Sequence, residues 1–174
     1  MAVSTKQHNY KVAQVLHWIA FVIIVFNLLS GWRIENFALE IKTVLLMIHS
    51  GVGTTIFILR AIRWWWRKKH HLYAPPRWWK RPTMVLQWAF YPLVVTQVLI
   101  GVAQAAFADF PVVAYGFIPY SSLGPADPTL QALFLGMHKW MAWLLITLVI
   151  VHALDRGRIF FKEDAAALAA ETHS

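Results

Sequence analysis

The chain has no cysteine. That excludes covalent C-x-x-C-H attachment of a haem, thiolate-held iron–sulfur clusters, structural disulfides and a cysteine nucleophile. Cofactors held by histidine stay open. Acidic residues are scarce, 8 Asp and Glu against 16 Lys and Arg, and none lies midway through a long apolar run. Glu35, Glu40 and Asp155 sit at run ends. A metal-ion transporter usually sets carboxylates beside its intramembrane histidines, so that class is disfavoured.

What is present is apolar: 59% of 174 residues, with a mean hydropathy of +0.51. A soluble domain of this length cannot hide so much apolar surface. Four runs, 13–32, 41–62, 84–107 and 130–154, each reach the ~20 residues that a helix needs to cross a bilayer. They predict an all-α integral membrane four-helix bundle, a single domain over residues 1–174. The first run is longer than a signal-peptide core and leads into Gly31-Trp32-Arg33 without an A-x-A-like site; it is expected to be retained.

The basic residues are sorted. Lys6 and Lys11 precede the first run. Arg60, Arg63, Arg67, Lys68, Lys69, Arg77, Lys80 and Arg81 gather around the end of the second and the loop after it. Arg156, Arg158 and Lys162 follow the fourth. Only Arg33, Lys42 and Lys139 fall toward the other side. Cytoplasmic loops collect Lys and Arg, so both termini and the middle loop are expected in the cytoplasm. The basic loop, rich in Trp64, Trp65, Trp66, Trp78 and Trp79, reads as a partner for anionic membrane lipid, and no nucleic acid is expected. The segment Ala108–Thr129, with four prolines and two glycines, is expected to be a turn-rich loop on the outer side.

Of the 8 histidines, His8, His70, His71 and His173 fall in tails or the basic loop and read as surface. His17, His49, His138 and His152 fall inside the runs. His138 and His152 are fourteen residues apart, about four turns or roughly 21 Å along one helix face. With alternating helix directions, His17 and His152 share the cytoplasmic half, and His49 and His138 share the outer half. A single intramembrane histidine is most simply a core residue bonded to a carbonyl. Four at matched depths suit axial ligation of two b haems stacked through a bundle. With both axial positions filled, the expected chemistry is electron transfer. Gly31, Gly51, Gly53 and Gly136 are expected to give a flat cofactor room, or simply to pack helices. Arg60 and Arg63 at one end, and Lys42 or Lys139 at the other, are candidate partners for the haem propionates.

The segments Tyr10–Trp18 (YKVAQVLHW), Met47–Gly51 (MIHSG), Phe117–Ser121 (FIPYS) and the closing H-x13-H followed by FFKED resemble the bacterial cytochrome b561 family. These are four-helix dihaem cytochromes b related to the cytochrome b subunits of nickel–iron hydrogenases. The resemblance implies two haems b on His17, His49, His138 and His152. It also implies electron transfer between the quinone pool and a redox partner protein. It leaves two further roles open: a superoxide oxidase reducing ubiquinone, or a haem-containing anchor of a hydrogenase-like enzyme. Gln104, Tyr115, Tyr120 and Ser121 are candidate quinone contacts on the outer side, with Tyr10, Gln14 and Gln87 on the inner. The few outer cations, set against Glu35, Glu40, Asp109 and Asp127, give little steering toward an anion such as superoxide.

Overall fold

The structure, a computed structural model, describes residues 2–32, 34–70, 80 and 82–171, with side chains at 7–32, 34–70, 80, 85, 86 and 88–154. Lys6, Arg33, Arg77, Arg81, Arg156, Arg158, Lys162, Asp155, His71, His173, Trp78, Trp79 and the Gln87 side chain lie outside that description.

Four helices carry the fold: α1 Ala2–Gly31, α2 Leu39–Lys69, α3 Pro82–Ala106 and α4 Pro128–Glu171. All four are long and apolar enough to cross a membrane, and the molecule is an all-α membrane four-helix bundle. The helices outrun the apolar spans, because helix propensity continues into polar sequence until something breaks it. Starts are marked more sharply. Pro128 opens α4, where its missing N–H is no loss, and Asp127 Oδ1 accepts from the N–H groups of Thr129 (2.9 Å) and Leu130 (3.0 Å), an N-cap. α1 packs along α2 and α3 along α4, with α2 and α3 in lighter contact. Trp66 Nε1 donates to the Asn9 carbonyl at 3.3 Å, so the start of α1 and the end of α2 share one end of the bundle.

The centre is a layer with one residue from each helix: Ile24, Ile56, Val94 and Leu145, all buried. Seven residues is two turns, so a step of seven from this layer stays on the inward face. Toward the loop end it reaches Gly31, His49, Gly101 and His138; toward the other end it reaches His17, Arg63 and His152. The layers are about 10 Å apart at the ~1.5 Å rise per residue.

The loop from Phe107 to Asp127 is closed at its base by Asp127 N–H on the Phe107 carbonyl, 3.0 Å. Inside it, β1 (Val113–Ala114) pairs antiparallel with β2 (Ile118–Pro119). Tyr115 (φ 53°) and Gly116 (φ 79°) both take positive φ, and Phe117 N–H donates to the Ala114 carbonyl at 3.1 Å. This is a type I′ turn, which suits the twist of a hairpin. A tyrosine there is strained by about 1–2 kcal/mol. Three contacts hold it: its N–H to the Met47 carbonyl (3.2 Å), its hydroxyl to Thr55 Oγ1 (2.8 Å) and its ring against Gly51.

Candidate functional site

The four intramembrane histidines meet in two pairs. His49 of α2 faces His138 of α4 with ring centroids 6.1 Å apart and planes at 76°. His17 of α1 faces His152 of α4 at 6.2 Å and 78°. These are the two pairs that share a depth in the sequence. A metal bonded in line to one nitrogen of each ring at about 2 Å separates the centroids by about 6 Å.

The loop-end pair lies in a cavity of about 470 Å³ whose lining also includes Asn27, Gly53, Gln97, Gln104, Tyr120 and Trp143. Each ring is seated by a glycine of a neighbouring helix. A Cβ on Gly31 would stand 2.6 Å from His49 Cε1, and one on Gly101 would stand 3.0 Å from His138 Cε1. Ser30 Oγ donates to the Asn27 carbonyl at 3.0 Å and lies 3.3 Å from His49 Nδ1. The hydroxyl has one proton and it is used, so its oxygen accepts from Nδ1–H, and the lone pair of His49 falls on Nε2. Gln97 Nε2 donates to the His138 carbonyl at 3.1 Å. The Asn27 and Gln97 side-chain oxygens and His138 Nδ1 are buried without a partner.

Around the other pair, Phe90 packs edge-on against His152 at 5.9 Å. The next residue, Tyr91, lies under the Arg60 guanidinium at 5.5 Å. Arg60 is buried, and the Nε atoms of Arg60 and Arg63 and the Tyr91 hydroxyl have no hydrogen-bond partner.

Several expected roles change place. The Gly51 notch receives Tyr115, since a Cβ there would lie 2.5 Å from that ring, so it makes room for the loop and not for a cofactor. Gly136 has nothing within 4 Å of a Cβ and opens with Ile100 and Trp140 onto a groove on the outer face of α3 and α4. Gly31 and Gly53 do line the cavity. Lys139 is held by Glu35 at 2.6 Å, both about half exposed, and Lys42 sits over the Phe110 ring at 5.2 Å. Of the quinone candidates at the loop end, Gln104 and Tyr120 line the cavity, although the Tyr120 hydroxyl is bonded to Thr54 Oγ1 at 2.6 Å. Tyr115 is turned to Thr55, and Ser121 Oγ accepts from Val112 N–H at 3.2 Å. Tyr10 and Gln14 are exposed at the opposite end. Gly101, Ser30 and Gln97 were not legible as site residues. The notch at Gly101 could have been found by analogy, since Gln97-x3-Gly101 repeats Asn27-x3-Gly31.

Among the described residues no three of His, Cys, Asp or Glu come together. Two imidazoles leave a bare cation short of ligands. They suit a metal that brings its own planar set, as haem iron does. At the loop-end pair the facing rings, the apolar cavity and the glycine notches fit that group; at the other pair the facing rings carry the fit.

A family model described as prokaryotic cytochrome b561 matches residues 10–154. No curated protein sequence matches the chain.

Proposed function

Because the chain belongs to the prokaryotic cytochrome b561 family, and is thereby a multi-pass membrane protein that transfers electrons on haem b, we propose that it holds two such haems. His17 with His152 would hold one and His49 with His138 the other. The observation that carries this reading is the pair of facing histidine couples that share α4, one heptad either side of the apolar central layer. A haem so bound supplies one-electron chemistry at its iron.

The residues around it do the rest. The two imidazoles of each pair would hold the metal, and the chemistry it would supply there is electron transfer. Ser30 sets the His49 tautomer. Ile24, Ile56, Val94 and Leu145 keep water out of the space between the pairs. The two levels, about 21 Å apart, make a two-site path along the bundle. With both termini in the cytoplasm of a bacterial inner membrane, as the placement of Lys and Arg argues, this path joins the two faces. Quinone is the partner at the loop end, where Gln104 and Tyr120 border the cavity, and a redox protein is the partner at the other. Superoxide is a weaker substrate for the loop end, because Glu35 neutralises Lys139 at the mouth.

The test is direct. Ubiquinol added to the purified protein should reduce its b-type absorbance with no other protein present. Absorbance that stays oxidised until a partner enzyme is supplied would instead make the chain a haem-bearing anchor.

A further inference from the structure

Two arginines stand in the membrane part of α2 with buried donors and, among the described residues, no anion. Arg63 is fourteen residues after His49, as His152 is fourteen after His138. α2 and α4 run in the same direction and His49 faces His138, so Arg63 is level with His152. Arg60 is one turn nearer the centre. The link to the inner pair is also one of contact: on α3, Phe90 touches His152 while Tyr91 touches Arg60. Every carboxylate among the described side chains, Glu35, Glu40, Asp109 and Asp127, belongs to the loop end. An intramembrane arginine is costly unless it is paired. Here Arg60 Nε, Arg63 Nε and the Tyr91 hydroxyl form an unfilled set of donors, and a guanidinium is shaped to bind a carboxylate in two places.

We infer that Arg60, Arg63 and Tyr91 bind the carboxylates of the haem held by His17 and His152, and that the two charges hold this haem at a higher reduction potential than the one at His49 and His138. The inference rests on the two-haem reading above. Reduction adds negative charge at the metal, and a fixed cation nearby in a poorly screening medium favours the reduced form. Among the described residues the loop-end pair has no equivalent buried, unpaired cation: Lys139 is paired with Glu35, and Lys42 stands over the Phe110 ring. Arg60 and Arg63 are positioning residues that bias the electron toward the end of the bundle carrying the termini.

The experiment is a redox titration of the purified protein, followed at the b-type absorbance. Wild type should show two midpoints, and His138→Ala should keep the higher one. Arg63→Gln and Arg60→Gln should lower that higher midpoint and leave the other in place, with Arg63→Lys restoring most of it. Should a glutamine variant lose haem, Arg63→Lys and Tyr91→Phe carry the test. A Lys variant that retains the high midpoint supports the inference, and one whose midpoint falls as far as the glutamine variant's overturns it. The inference is also overturned if neither midpoint moves, or if the lower one moves. If both midpoints hold while the glutamine variants lose stabilisation by phosphatidylglycerol vesicles, the anion is a lipid phosphate and the inference falls. A wild-type protein with no b-type absorbance would instead remove the two-haem reading itself.

Discussion

At His49 the surroundings fix both where the ring lies and which nitrogen is free. The Ser30 hydroxyl spends its proton on the Asn27 carbonyl and accepts from Nδ1. Partners of this kind are worth about 10–100-fold in metal affinity. Ser30→Ala should therefore weaken haem retention at the loop-end site by that order and leave the other site intact, as measured by haem-to-protein ratio during dilution. The glycine notches are less forgiving. Alanine favours a helix over glycine by about 1 kcal/mol, but a Cβ at Gly31 would lie 2.6 Å from the His49 ring, and overpacking costs about 1–3 kcal/mol. The clash wins locally. Gly31→Ala should give a folded protein with one haem in place of two. Gly101→Ala, with a looser 3.0 Å approach, should show a milder loss in the same assay. Neither arrangement could be read from composition. A serine nineteen residues from a histidine, on another helix, declares itself only when the helices are docked.

Among the elements, α4 carries most of the information. Its H-x13-H was visible at once, and the heptad step from His138 through Leu145 to His152 orders the other helices by level. α1 and α2 were anchored by His17 and His49. α3 contains no histidine, so nothing in its sequence fixes its depth or singles out Gly101, Gln97 and Phe90. The loop was legible as turn-rich from its prolines. What stayed hidden was how deeply it is tied to α2, because those ties are single tyrosines: Tyr120 to Thr54 and Tyr115 to the next residue, Thr55. Each such hydrogen bond contributes about 1 kcal/mol net. Thr54→Val should free the Tyr120 hydroxyl, lower thermal stability by about that amount, and speed amide exchange in residues 110–121 while leaving α3 and α4 unchanged.

The molecule as a whole is a bundle whose four intramembrane histidines pair at two levels, either side of an apolar layer. Its basic side chains are concentrated at one end, and that placement argues for cytoplasmic termini. A reporter active only in the cytoplasm should work when fused after Ser174 and fail when inserted at Gly124, and the reverse pattern would invert the orientation. The central claim is that two haems sit on two histidine pairs sharing α4. It is tested most directly by the haem-to-chain ratio, with redox midpoints, of the wild type, His138→Ala and His152→Ala. Two haems are predicted for the wild type and one for each variant, with different midpoints remaining in the two. No haem in the wild type, or the same surviving midpoint in both variants, would contradict the account.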